Sequence, residues 1–322
     1  MASWDLPISK ELSMVAEVIE ESITSQEQLL TEIASYVIRS GGKRIRPAVT
    51  LLSFYAVGGT DVQDAVKIAA ALELIHNATL IHDDINDGGT TRRGKPAAYK
   101  KYGIQNALVT GDFLFTKAFA IGGRFDSEIV DITAQACVQL AEGEIRQKIH
   151  SRDLSMSEED YIGIIRRKTA WPISAGARIG AILGGGSVEQ ILALGQYGTN
   201  LGIAFQIVDD ILDVVGNEEV LGKPTGTDVR EGNITLLTLN ALQDGRKGDR
   251  EELAGIIKKR RKTEAEVRRA LDIVVISGAV EVARQKATEF GKRAKESLGL
   301  IPPTQYKLEL LKMVDLVLNR EV

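Results

Sequence analysis

The chain has 322 residues, 44% of them hydrophobic and 26% charged, with 40 Lys+Arg against 44 Asp+Glu for a formal net charge of −4. Such a length is ample for a sizeable core, and the slightly acidic balance gives no sign of the basic domain expected of a nucleic-acid binder. A single cysteine, Cys137, excludes an internal disulfide and reads as a packing residue.

The opening Met-Ala-Ser-Trp-Asp-Leu-Pro carries an early acid and no basic-then-apolar run, so no secretory leader is expected. Asp83/Asp84 and Asp209/Asp210 interrupt the two most apolar regions. No apolar stretch therefore approaches the ~20 residues that span a bilayer, and a cytoplasmic location is expected. Apolar residues recur three and four apart over long windows, without sustained alternation bounded by hairpin turns, which predicts an all-α chain. Gly41-Gly42 precede a helix starting near Pro47, a favoured first-turn proline. Gly58-Gly59-Thr60-Asp61 ends it, and Asp61 can cap the next helix. That helix is predicted to run to about Asp87, roughly 40 Å at the α-helical rise, where Gly88-Gly89 stops it. Further breaks fall at Gly122-Gly123, 152–157, Gly184-Gly185-Gly186, 216–232 and 244–248, and Leu298 to Pro303 precede a last helix. Without repeats, low-complexity tracts or linkers, 1–322 reads as one domain. The basic run Lys258 to Lys262, flanked by glutamates, reads as a solvated face.

Two acid clusters oppose helix stability. Asp83, Asp84 and Asp87 stand at i, i+1 and i+4, and Asp209, Asp210 and Asp213 repeat the pattern. Like charges at this spacing cost a helix ~0.2–0.5 kcal/mol each. Both clusters precede a helix stop, where the negative dipole end adds about 0.3–1 kcal/mol per acid. A bound cation is the economical compensation. Carboxylates without Cys or closely spaced His select hard ions, and magnesium binds through one or two carboxylates plus water and substrate phosphate. Two clusters facing each other could hold several ions and a diphosphate. A lone Asp-Asp-x-x-Asp more commonly marks a solvated face; two copies on apolar helices favour the metal. The alternating ligands and closing Glu of an EF-hand are absent.

Basic residues complete a diphosphate site. Lys43 and Arg46, in Gly-Gly-Lys-Arg-Ile-Arg-Pro, precede a helix start, and helix N-termini bind anions. Arg92 and Arg93 follow the first acid cluster and can each grip a phosphate in bidentate fashion. His76 lies seven residues before Asp83 on the same face, within reach of a diphosphate, whereas His82 reads as a hydrogen-bonded core residue.

The strings GGKRIRP, LIHNATLIHDDIND, TTRRGKP, NALVTGDFLF, AEGE, RRKTA, FQIVDDILD and LGKPTGTD closely resemble the trans-type polyprenyl diphosphate synthases, from Gly41 to the last helix. The resemblance implies the isoprenoid synthase fold, a bundle of about ten or more helices around a deep cavity, assembled as a homodimer. It implies condensation of isopentenyl diphosphate with an allylic diphosphate (dimethylallyl, geranyl, farnesyl or geranylgeranyl), assisted by magnesium (Mg2+), three ions with substrate bound. Asp83, Asp87 and Asp209 then look like metal ligands, with Asp84, Asp210 and Asp213 beside them. Lys43, Arg46, His76 and Arg93 look like the isopentenyl diphosphate site. Arg92, Lys168 and Lys223 look like contacts to the allylic diphosphate, with Thr169 and Gln206 beside its carbon chain.

Two departures stand out. Asn233 replaces a lysine frequent in the family, putting one phosphate contact in doubt. Pro172 has no N–H for the Lys168 carbonyl, which predicts that this carbonyl is freed. In the implied reaction the leaving diphosphate is stabilised electrostatically; the neutral dipoles of Thr169, Gln206 and the Lys168 carbonyl face the allylic cation. Water must be excluded from it. One turn below the first cluster stand Ala78 and Thr79, where a large aromatic confines the family's products to farnesyl length, so products of twenty carbons or more are expected. A class I terpene cyclase would not need Lys43, Arg46 and Arg93, and a non-catalytic subunit of a two-protein synthase would lack the acid clusters.

Overall fold

The glycine and proline break points become helix ends in the computed structural model, which describes residues 6–216 and 225–320. A 3-10 turn leads into α1 (Ser9–Ser22), α2 (Gln28–Ile38), α3 (Ile45–Ala56) and the 25-residue α4 (Gln63–Asp87). A short antiparallel hairpin, β1 (Thr91–Arg92) with β2 (Lys95–Pro96), precedes α5 (Ala98–Tyr102), α6 (Ile104–Gly122) and α7 (Ser127–Ile149). Next, α8 (Glu158–Ile165) passes directly into a π-helical turn (Arg166–Ala170) and α9 (Trp171–Leu183), followed by α10 (Val188–Val215). The remainder comprises α11 (Thr227–Glu231), α12 (Leu236–Asp244), α13 (Lys247–Lys258), α14 (Glu264–Ile276), α15 (Ala279–Ser297) and, after a 3-10 turn, α16 (Gln305–Leu318). The all-α expectation holds.

Helix ends follow the expected chemistry with two refinements. Gly88 takes the left-handed conformation (φ 71°) that closes α4. Asp61 accepts the Gln63 N–H at 3.3 Å, although the residue immediately before α4 is Val62. Helix α3 begins at Ile45, so Arg46 sits inside its first turn rather than ahead of it.

The chain forms two compact units. The first contains residues up to Gln135, Pro172–Gly198 and Ser297–Met313. Here α4 packs most extensively on α6, then on α3 and α1, and is buried along most of its length. Gly176, Gly180 and Gly184, at i, i+4 and i+8, form a seam against α3. A Cβ at Gly180 would lie 2.2 Å from the Thr50 carbonyl oxygen, and one at Gly184 2.4 Å from that of Phe54. Only glycine permits this backbone-to-backbone contact. Fully buried Leu51, Leu52, Phe54, Leu74, Ile81 and Leu114 fill the surroundings, each contributing about 1.5–3 kcal/mol of burial. The phenol of Tyr197 donates to the Leu310 carbonyl at 2.8 Å.

The second unit contains Ala136–Trp171, Thr199–Glu296 and residues from Val314 onward. Its core gathers Leu201, Ile207, Ile211, Leu237, Leu253, Ile257 and Val317. The π turn is clasped from two directions. A Cβ at Gly143 on α7 would lie 2.9 Å from the Lys168 nitrogen, and one at Gly202 on α10 2.5 Å from Ala170 Cα.

One helix corrects the expectation about apolar length: α10 is long and apolar enough, by length and composition, to cross a membrane. Of its most apolar window, 61% is buried inside the protein, as in a core helix.

Candidate active site

In the first unit, α4 supplies Asp83, Asp84 and Asp87 in its last turns, and the hairpin supplies Arg92 and Arg93. The three acids are not equivalent. Asp84 is 5% exposed and bound by one guanidinium: Arg92 Nε donates to its oxygens at 2.8 and 3.0 Å, and Nη2 donates at 2.6 Å. Burial raises the Asp84 carboxyl, against the Arg92 hydrogen bonds that lower it. Charge-assisted bonds of this kind contribute about 1.5–3 kcal/mol, more than the ~0.2–0.5 kcal/mol of like-charge repulsion along the helix. Asp83 is part-buried and Asp87 is exposed.

Arg46, Glu73, His76 and Arg93 lie within one electrostatic neighbourhood. Burial lowers the Arg46 guanidinium, which Glu73 and Asp83 raise and Arg93 lowers. Burial, then Arg46, Arg93 and Arg92, push His76 well below its ordinary value, so its imidazole is neutral at neutral pH. Glu73 is 8% exposed; burial raises its carboxyl while Arg46 and Arg93 lower it. Glu73 went unread in the sequence because a single acid in an apolar helix carries no motif. Arg93 adopts φ 53°, uncommon for a residue with a side chain, and its head lies against Gly42, where a Cβ would stand 2.7 Å from Nη2. The Gly41-Gly42 break therefore also makes room for an arginine. Lys43 is exposed ahead of α3. His82 Nε2 lies 3.3 Å from the Leu108 carbonyl, with Gly111 packed against its ring, as a structural histidine.

In the second unit, α10 carries Gln206, Asp209, Asp210 and Asp213. Asp210 is 6% exposed and accepts two neutral donors, Tyr161 Oη at 2.7 Å and Gln206 Nε2 at 2.8 Å. Burial pushes its carboxyl up to about 7, against those hydrogen bonds, with Asp209 and Asp213 adding to the rise. Asp213 Oδ2 accepts the Asp228 N–H at 3.0 Å, and its carbonyl accepts the Gly226 N–H at 2.7 Å. Asp209 is more open, with Arg320 Nη1 at 3.5 Å from Oδ1. Arg320, which also lies over the Phe205 ring, carried no sequence signal.

The π turn presents Lys168 and Thr169. Lys168 Nζ pairs with Glu144 at 2.7 Å and donates to Gln147 Oε1 at 3.1 Å, both on α7. Thr169 Oγ1 donates to Gln206 Oε1 at 2.7 Å. Ahead of Pro172 the helix widens into this π turn. The Trp171 N–H reaches back five residues to the Arg166 carbonyl. Asn233 Nδ2 donates to Glu231 at 2.8 Å and Asp228 at 3.3 Å, securing the end of α11. Lys223 lies outside the described residues.

The donor set fits a hard divalent cation: carboxylate oxygens, with Asp83, Asp87 and Asp209 the less buried of the six. Among the described residues no three His, Cys, Asp or Glu side chains form a metal cage by themselves.

A family model described as polyprenyl synthetase matches residues 27–274. The chain is 42% identical over 320 residues to the short chain isoprenyl diphosphate synthase of Methanothermobacter thermautotrophicus, covering 98% of each. It is 36% identical over 322 residues to the geranylgeranyl diphosphate synthase of Methanosarcina mazei, covering 98% of this chain and 97% of that one. The crystal structure of a polyprenyl synthase from Caulobacter crescentus CB15, complexed with calcium and isoprenyl diphosphate, matches at a TM-score of 0.96 and 36% identity. That match covers 99% of this chain and 97% of the other.

Proposed function

The chain belongs to the polyprenyl synthetase family, with its all-α isoprenoid synthase fold, and from that premise we propose how its own residues perform a trans-prenyltransferase reaction. The enzyme joins isopentenyl diphosphate to an allylic diphosphate and releases diphosphate. The C1–O bond of the allylic substrate breaks, C4 of the isopentenyl unit forms the new bond to C1, and the proton lost from C2 passes to the released diphosphate.

Arg46, Arg93 and Lys43 hold the isopentenyl diphosphate, with neutral His76 adding a hydrogen bond rather than a fourth charge. Its depressed basicity supports that division of labour. Arg92, Lys168 and Lys223 contact the allylic diphosphate. Arg92 and Lys168 rest on Asp84 and Glu144, so each arginine or lysine head has a carboxylate to leave or share when phosphate arrives. Asp83, Asp87 and Asp209 are the ligands for magnesium, three ions with substrate bound, and Asp84, Asp210 and Asp213 support them. When bound, the ions supply Lewis-acid charge to the leaving diphosphate. Thr169 and Gln206 place neutral dipoles beside the allylic carbons. The observation that carries this assignment is the contrast within each acid cluster: Asp84 and Asp210 are engaged by protein donors, while Asp83, Asp87 and Asp209 are less buried.

A single domain over 1–322 is supported by helices that run unbroken through the points of division, α7, α9, α10, α15 and α16. It works in the cytoplasm as a homodimer; the exposed Ile104, Leu108, Val109 and Phe119 of α6 offer an apolar face for the second copy. The purified chain, given both diphosphates and magnesium, is expected to make linear prenyl diphosphates of twenty carbons or more. A cyclic hydrocarbon product, or no product from the chain alone, overturns the reading. Ala78 is fully buried, so Ala78→Phe is expected to shorten the product at an overpacking cost of about 1–3 kcal/mol. An unchanged product length by mass analysis removes Ala78 from the wall.

A further inference from the structure

A closed circuit of hydrogen bonds ties α8 and its π turn to α10. Tyr161 Oη donates to Asp210 Oδ2, Gln206 Nε2 donates to Asp210 Oδ1, and Thr169 Oγ1 donates to Gln206 Oε1, at 2.7, 2.8 and 2.7 Å. Tyr161, Asp210 and Thr169 are 2%, 6% and 6% exposed. Both ends of the circuit share one continuous helix. The Ser157–Asp160 capping box fixes its first turn, immediately before Tyr161. Eight residues later comes Thr169, and an unbroken α-helix would leave the two about 80° apart around the axis. The π turn turns less per residue and brings Thr169 back toward the Tyr161 face.

The circuit has a fixed polarity. Both Asp210 oxygens are taken as acceptors, Oδ2 by the Tyr161 hydroxyl and Oδ1 by the Gln206 amide, so Gln206 offers Asp210 its NH2. The Gln206 carbonyl must then face Thr169, whose single hydroxyl proton is committed to it. Thr169 is left with lone pairs, and no proton, to present to anything else. A neutral hydroxyl in that state favours an electron-poor carbon.

We propose that Tyr161 is a positioning residue for the prenyl transfer: through Asp210 it holds the Gln206 amide and the Thr169 hydroxyl in the one orientation that turns oxygen lone pairs toward the allylic cation. The proposal rests on the placement of the allylic chain beside Thr169 and Gln206 given above. It also makes Asp210 the hub of the circuit rather than a metal ligand.

The test uses the full-length enzyme. Tyr161→Phe keeps the ring and removes the donor; kcat is expected to fall about tenfold, while KM for both diphosphates and the magnesium half-saturation stay within about twofold of wild type. In a Thr169→Val background, Tyr161→Phe is expected to cost less than about twofold more, because the circuit is already open. Additive losses, a wild-type kcat, or a change confined to KM overturns the proposal. Asp210→Asn provides an independent reading should Tyr161→Phe not fold. An unchanged magnesium half-saturation with lowered kcat supports the hub; a raised half-saturation makes Asp210 a ligand and overturns it. Failure of the underlying function is separate, since wild-type enzyme would then form no prenyl product at all.

Discussion

The two acid clusters share a spacing but not a way of tolerating it. On α4, the buried middle acid, Asp84, is neutralised by a full charge, the bidentate guanidinium of Arg92, itself 38% exposed. On α10, the buried middle acid, Asp210, is held by a phenol and an amide, both neutral, and the Asp213 carboxylate by the Asp228 backbone N–H. The first arrangement is electrostatic and can be exchanged for a phosphate at modest cost. The second is a rigid hydrogen-bonded mount. Identical motifs therefore conceal one adaptable site and one fixed site.

Metal removal tests what the clusters have in common. Chelation is expected to lower turnover more than ~1,000-fold and magnesium to restore it; retained turnover in chelator leaves both clusters without the proposed role. Next in size, Asp209→Asn is expected to lower kcat by about 100-fold and raise the magnesium half-saturation. Asp213→Ala is expected instead to lower stability by about 1 kcal/mol, by stripping the acceptor from the part-buried Asp228 N–H. Denaturant titration beside magnesium titration separates the two, and equal magnesium effects would erase the distinction within the α10 cluster. Gly42→Ala is expected to raise KM for isopentenyl diphosphate about tenfold, through the Arg93 head it displaces, with kcat little changed. A wild-type KM would show that Arg93 tolerates the move. The smallest effect separates the mounts by salt. Arg92→Lys loses the bidentate fork, and its few-fold loss in allylic affinity is expected to shrink as ionic strength rises. A salt-independent loss would mean the α4 cluster is as rigid as its counterpart.

Helix positions, the stop at Gly88 and the six aspartates were legible because glycine, proline and carboxylate spacing act locally. Arg92 and Arg93 were legible as charge following an acid cluster, and Lys43 and Arg46 as charge near a helix start. The partners were not. Tyr161 reaches Asp210 across 49 positions and Lys168 reaches Glu144 across 24, and nothing local announces such pairs. Pro172 shows a subtler limit. Its missing N–H was plain, but the wider turn ahead of it, with Gly143 and Gly202 of neighbouring helices packed close against it, was not.

The seam of Gly176, Gly180 and Gly184 bears on how α3 can move. Helices cushioned by long side chains slide by small increments as rotamers adjust. Here carbonyl oxygens of α3 sit in notches cut by missing methyl groups, and an intermediate displacement drives them into solid backbone. The next notch is four residues along, about 6 Å away. The seam thus fixes the register of α3 on α9, and with it the height of Arg46, mounted on the first turn of α3.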